Sequence, residues 1–278
     1  MEWYPKRMPQ PVAVLMAAYN AENTLKQAVA SLLDDPYPCR IYIVDDCSRV
    51  PVADVIGRHD PERIEIIRLE KNGGPAHARN AGLERILENG HDYVAIMDAD
   101  DVSHAGRLSK QVSYLENNPN IAVVGGWERV IAENGDFVSL VALPCDPQII
   151  RNSLFVKMYV SHPTWMVRAE VFRKLGLYSL TYYAAEDYEL IRRIASHYDV
   201  TNIPEYLIDY RISSGGMSAN NRKRQLVDRL RIQLRYFKPF NHHAWIGIAR
   251  TLALLIVPVK RRLPDTISQD AAKALQTA

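Results

Sequence analysis

Four short apolar runs, each closed by polar residues, constrain this chain more than any other feature. Val12–Met16 is continuously apolar and reads as a buried strand. Glu22–Leu33 then carries Leu25, Val29 and Leu32 at helical spacing. Ile41–Val44 is a second buried strand, ending on Asp45 and Asp46, and Arg63–Leu69 is a third, with Ile64, Ile66 and Ile67. Asn72-Gly73-Gly74-Pro75 is a turn, and Pro75 suits the first position of a helix, where its missing N–H costs nothing. That helix runs through Ala78, Ala81, Leu83 and Leu87 and stops at Asn89-Gly90. Tyr93–Met97 is a fourth strand, ending on Asp98. Strand alternating with helix implies βαβ units, a parallel sheet covered on both faces. Ligands bind such sheets outside the carboxyl ends of the strands. Tyr19-Asn20, Asp45-Asp46 and Asp98 to Asp101 all sit at those ends.

Past residue 120 the pattern changes. Ile121–Gly126 and Trp127–Ala132 read as two strands, and Asn134-Gly135 as a hairpin turn into Phe137–Leu143. Thr164–Arg168 reads as a short strand and Ala185–His197 as a helix. At 278 residues and 47% hydrophobic, the chain can bury a sizeable core. Its net charge of +2 does not single out nucleic acid as a partner. Cys39, Cys47 and Cys145 lack metal-type spacing and fit a reducing compartment. Met1 to Pro11 carries no apolar stretch of signal-peptide length, so a cytoplasmic protein is expected.

Asp98-Ala99-Asp100-Asp101 packs carboxylates that repel one another unless a cation intervenes. Alternate residues of an extended segment face the same way, so Asp98 and Asp100 can converge on Mg²⁺ or Mn²⁺ bridging a diphosphate. A solvated acidic loop is the plain alternative. An apolar strand followed by Asp-x-Asp-x-Val also opens haloacid-dehalogenase-type phosphatases, with Asp98 as nucleophile. That motif normally sits on the first strand of its domain, whereas here a βαβ region precedes it.

Five motifs in order decide between these. Val12 to Asn20 resembles the opening strand of family-2 glycosyltransferases of the GT-A fold. Ile43-Val44-Asp45-Asp46-Cys47-Ser48 resembles their second-strand signature, with Cys47 where Gly is usual. Asn72 to Gly82 resembles their Gly-rich turn and helix, Asp98-Ala99-Asp100-Asp101 their Asp-x-Asp element, and Ala185-Glu186-Asp187 their late acidic motif. The resemblance implies an α/β GT-A catalytic domain over residues 1–218. Its nucleotide-sugar half ends near 120, its acceptor half follows, and a helical tail occupies 219–278. It implies an inverting transfer of one sugar from a nucleotide diphosphate sugar, with UDP favoured, onto a glycan or lipid-linked acceptor. Ala17, Tyr19, Asp46, Arg79, Asp98 and Asp100 would bind the donor: Tyr19 stacking on the base, Asp46 accepting from it, Arg79 meeting the leaving diphosphate. Asp100 with Asp98 would hold Mn²⁺ or Mg²⁺. Asp187 would be the general base with Glu186 beside it, and His162 and Trp165 would line the acceptor site. Tyr210-Arg211 and Ser213 to Ser218 fall where the family has a closing loop. A non-catalytic nucleotide-sugar-binding module is the third reading. A processive synthase is disfavoured, since no Gln-x-x-Arg-Trp motif is present.

From Arg222 to Arg262 there are eleven Lys or Arg against one acid, Asp228, so the rest of the chain is net acidic. Leu226, Leu230, Leu234 and Phe237 recur near helical spacing, and Ala244–Val259 is apolar but shorter than the about 20 residues a spanning helix needs. This fits a peripheral helix on the anionic inner face of a membrane. A helix pair packed on the catalytic domain or in a homodimer is the competing expectation.

Overall fold

A computed structural model describes residues 11–212 and 221–256. The loop from Ser213 to Ser218 and the basic triplet Lys260-Arg261-Arg262 lie outside the described residues.

β1 (Val12–Ala18), β2 (Cys39–Asp45), β3 (Ile64–Arg68) and β4 (Tyr93–Ile96) run parallel in the order β3-β2-β1-β4. The strand period of two divides β1 between two cores. Ala13 and Leu15 pack with Ala78, Leu83 and Ile86 of helix α3 (Pro75–Glu88). Val12, Val14 and Met16 pack with Leu25, Ala28, Val29 and Leu32 of helix α1 (Leu25–Leu33). The expected covering of both faces is therefore present. Burying each such Val, Leu or Ile contributes about 1.5–3 kcal/mol. Between β2 and β3 lies a short helix, α2 (Val52–Ile56).

The second half extends the same sheet. β8 (Met166–Arg168) pairs antiparallel with β4 on one side and with β6 (Ile121–Ile131) on the other. The order then runs β6, β9 (Asp199–Arg211) and β5 (Val102–Ser103), with β7 (Phe137–Val141) also paired to β6. The two strands expected over 121–132 are one eleven-residue strand. Register shifts against β9 between Gly125 and Glu128 absorb the glycine pair without ending it. Thr164 belongs to a 3-10 turn, His162–Thr164, rather than to the strand. Helices α4 (Arg107–Asn117), α5 (Pro147–Ser153), α6 (Ala169–Leu175) and α7 (Glu186–Ala195) flank this half.

Helices α8 (Arg222–Arg235) and α9 (His242–Ile256) pack against each other and against the body of the protein. Ile232 is fully buried beside Tyr182 and Tyr188, and Gln233 Nε2 donates to the Phe155 carbonyl at 2.9 Å. Gly247 of α9 meets that same carbonyl so closely that a Cβ there would lie 1.8 Å from the oxygen. The opposite stripe of α9 is open: Trp245 is 58% exposed, Leu252 44% and Ile256 80%.

Candidate active site

β1 ends on Ala17, half-buried, and Ala18; Tyr19 follows, 55% exposed at the rim. The chain turns at Asn20 with φ 51°, its N–H donating to Ser48 Oγ at 3.0 Å while its Oδ1 accepts from the Arg49 N–H. The ends of β1 and β2 are thereby tied together. Asp45 is buried and accepts from the Ser48 and Val52 N–H groups and from Arg68 Nη1. Those donors outweigh burial and hold its carboxyl below the usual range. Asp46 is 3% exposed, and its two oxygens accept the N–H groups of Gly73 and Gly74 at 2.8 Å each. Gly74, with φ 82°, turns the chain into α3 in a conformation that side chains resist.

Arg79 is 8% exposed. One arm donates to Glu186 Oε1 at 2.9 Å and the other to Asp98 Oδ1 at 3.0 Å, with the Tyr178 ring 5.8 Å away. Burial acts to lower its pKa, but the charges of Asp98 and Glu186 outweigh it and hold the guanidinium above its ordinary value. Its neighbour Asn80 exchanges two hydrogen bonds with the Tyr178 backbone, at 2.9 Å each. The two residues clasp the segment before α7 onto α3.

That segment presents the late acids. Glu186 and Asp187 open α7, where the positive end of the helix dipole favours carboxylates. Burial, and then the Asp187 charge, still push Glu186 up to about 7 against the opposing pull of Arg79. Asp187 is half-buried and also raised by burial, with its Oδ1 accepting the Tyr188 N–H at 2.6 Å. A carboxylate at this place can take a proton from a hydroxyl held beside it.

The run after β4 divides. Asp98 is partly exposed and faces Arg79. Burial, then the Asp98 charge, push Asp100 up to about 6. Asp101 is buried and raised further for the same reasons; its Oδ1 accepts the Arg211 N–H, and its Oδ2 has no partner among the described residues. Arg211, at the end of β9, also donates through Nε to the Asp100 carbonyl at 2.8 Å and through Nη2 to Gln27 at 2.8 Å. It fixes this loop in place. Among the described residues no group of three or more His, Cys, Asp or Glu side chains converges as a metal site. Asp98 and Asp100 nevertheless fit a hard cation. They are oxygen donors crowded so that one resists ionising, and Mg²⁺ is commonly held by one or two carboxylates plus substrate phosphates.

His162 and Trp165 differ from expectation. Trp165 has no exposed surface, and its Nε1 donates to the Val160 carbonyl at 3.1 Å. His162 is buried against it with ring centres 4.7 Å apart, and its Nε2 shares a hydrogen bond with the Tyr178 hydroxyl at 2.8 Å. Burial, then the charge of Arg79, hold His162 neutral. Both residues support the site from within the core and line no acceptor surface. Sequence reasoning missed Glu128 on β6. It is buried, accepts a hydrogen bond from Ser161, and is pushed up to about 7 by burial and, more weakly, by the Asp98 charge. The one acid of a largely apolar strand, next to Arg129, was the available signal.

The pattern described as Glycosyl transferase family 2 matches residues 13–176. The amylovoran biosynthesis glycosyltransferase AmsE of Erwinia amylovora is 32% identical over 205 residues, 73% of this chain and 74% of that protein. An uncharacterized glycosyltransferase of Methanocaldococcus jannaschii is 31% identical over 208 residues, 72% of this chain and 70% of its own. S. aureus TarS 1–349 in complex with UDP-GlcNAc shares the fold with TM-score 0.66 and 16% identity, over 87% of this chain and 72% of that one. The mannosyltransferase PcManGT from Pyrobaculum calidifontis, in complex with GDP-Man and Mn²⁺, does so with TM-score 0.62 and 19% identity, over 97% and 79%. With the family pattern spanning more than half of the sequence and the GT-A architecture present from the β1 rim to α7, this chain belongs to glycosyl transferase family 2.

Proposed function

We propose that the chain transfers a single sugar from a nucleotide diphosphate sugar, a UDP-sugar by preference, to a glycan or lipid-linked acceptor with inversion, in polysaccharide synthesis. One observation carries this reading. Arg79 joins Asp98, at the donor rim, to Glu186, beside Asp187, through two ion pairs. A shift of either acid is felt by the other, so the donor anchor and the base keep a fixed relation.

Tyr19, exposed at the rim, offers a face for the base to stack on. Each oxygen of Asp46 keeps a lone pair beyond its backbone bond, which can accept the imide N–H of uracil. Ala17 lies beside that position. Asp98 and Asp100 would hold Mn²⁺ or Mg²⁺, which when bound offsets charge on the diphosphate. Asp187 takes the proton from the acceptor hydroxyl as that oxygen attacks the anomeric carbon from the face opposite the leaving nucleotide. Glu186, held by Arg79, positions Asp187. The phosphatase reading of Asp98 fails with the fold, and a non-catalytic module is left as an outcome of the test.

Calorimetric titration of UDP with Mn²⁺ and with EDTA is that test. Metal-dependent binding, followed by UDP release from a UDP-sugar on adding acceptor, is expected. Absence of binding under both conditions sinks the uridine preference. Binding without transfer to any glycan acceptor favours the non-catalytic module.

Peripheral membrane attachment is part of the proposal, and the open stripe of α9 favours it. Trp245, Leu252 and Ile256 recur at spacings of seven and four, next to Phe240 and a basic α8. Among the described residues no helix is long and apolar enough to cross a membrane.

A further inference from the structure

The N-terminal end of α8 borders a cleft of about 540 Å³ lined by Thr181, Asn221, Lys223, Arg224, Asp228 and Arg231. Its charge is unbalanced, three cations to one acid. Its placement on the helix is more telling. Arg222, Lys223 and Arg224 occupy the first turn of α8 with no acid among them, and Asn221 makes no side-chain cap. Cations at the positive end of a helix dipole oppose it, so this end of a fourteen-residue helix lacks negative charge twice over. An anion seated in the cleft offsets the charge imbalance, with the first-turn backbone N–H groups and the side-chain cations as donors.

Asp228 adds a second requirement. It is 2% exposed, its Oδ1 accepts from Arg231 at 3.2 Å, and its Oδ2 is buried with no partner among the described residues. A buried carboxylate oxygen without a donor is costly, and a ligand hydroxyl would satisfy it. An anionic group and a hydroxyl on one ligand describe a charged sugar.

The cleft lies beside the segment that leads into α7. The Tyr183 ring lies against Gly74, where a Cβ would sit 3.1 Å from it, and carries the Arg224 guanidinium 4.3 Å from its centre. Tyr183 thus stands between the cleft and the Gly-rich turn of the donor half. Thr181 leads into the segment bearing Asp187, and the charge of Arg229, further along α8, interacts with that acid.

We propose that this cleft binds an anionic sugar of the acceptor, one bearing a phosphate or a carboxylate. The proposal rests on the glycosyl-transfer reading for its word acceptor, though not for the binding itself. The test titrates full-length protein with glucose 1-phosphate, glucuronate and glucose by ligand-observed NMR, with and without UDP and Mn²⁺. Wild type is expected to bind at least one anionic sugar about tenfold more tightly than glucose, whether or not UDP fills the donor site. Which of the two anions binds identifies phosphate or carboxylate as the preferred group. Lys223→Glu, an exposed substitution, should remove that preference and leave UDP binding unchanged; Arg224→Gln should do the same more weakly. Equal binding of all three sugars, or an unaltered preference in Lys223→Glu, overturns the proposal. Displacement of the anionic sugar by UDP, or loss of UDP binding in Lys223→Glu, overturns it by assigning the cleft to the donor. If wild type binds the anionic sugar but no UDP, the cleft stands and the donor reading fails.

Discussion

Two sets of acids surround the rim, and they are built in opposite ways. Asp45 and Asp46, at the end of β2, are well supplied with donors: four backbone N–H groups and Arg68. Asp100, Asp101, Glu128, Glu186 and Asp187, around the ends of β4, β6 and α7, are buried or half-buried with too few donors, and all are raised. The first set uses its charge to hold loops, with one lone pair left on each Asp46 oxygen for a ligand N–H. The second keeps charge-accepting capacity in reserve, which is what proton transfer and cation binding require. The same residue types thus serve structure or chemistry according to the donors the backbone supplies.

The sharpest way to break this contrast is Asp187→Asn. It removes the proposed base while keeping its shape, so transfer should fall about 10²–10⁴-fold with UDP binding intact. Near-normal transfer in a UDP-release assay would exclude Asp187 from that role. In the unaltered enzyme the base must be ionised, so with its pKa raised the rate should climb as pH rises toward neutrality. Next in size is Arg79→Gln, which leaves the buried Glu186 and the partly exposed Asp98 without their shared cation. A loss of about 3–5 kcal/mol is expected in denaturant unfolding, the usual consequence of breaking a buried pair. An unchanged midpoint would show that Asp98 and Glu186 find other partners.

Glu128→Gln tests the under-donated set directly. Glu128 keeps its proton in the folded state to about 7, against 4.5 in the unfolded chain. Between those values the folded state binds more protons, so stability falls as pH rises. Replacement by Gln should flatten that slope and stabilise the protein by up to about 3 kcal/mol at pH 8. A slope identical to that of the unaltered protein would remove Glu128 as its source. The smallest effect is expected from Cys47→Gly. Cys47 adopts φ 60°, where glycine is at ease, so a gain of up to about 1 kcal/mol should appear as a raised Tm. A lowered Tm would mean that the Sγ contact with the Glu70 carbonyl outweighs the backbone strain.

Much of the donor half was legible because buried parallel strands are largely continuous apolar runs, as in β1, β2 and β4, while β3 shows through Ile64, Ile66 and Ile67. β9 was not. Pro204, Glu205 and Asp209 interrupt its apolar residues, and only its pairing with β6 and β5 makes it a strand. The motif positions of Asp98, Glu186 and Asp187 did fall together, yet their connection through Arg79 depends on a contact across 107 residues. No local pattern encodes such a contact. His162 and Trp165 misled because an aromatic pair beside a turn has the same sequence whether it faces a ligand or the core. The tail presented two competing expectations, and α9 has a face for each: Gly247 turned to the protein, Trp245 turned away.

The pairing of β4 with β8 has a consequence for synthesis of the chain. Tyr93–Ile96 leaves the ribosome about seventy residues before its partner Met166–Arg168. During that interval the parallel sheet has an unpaired, strongly apolar edge, the kind of surface that recruits other strands. A nascent chain halted before residue 166, or a donor half expressed alone, should therefore self-associate, and antiparallel closure by β8 protects the enzyme from its own intermediate.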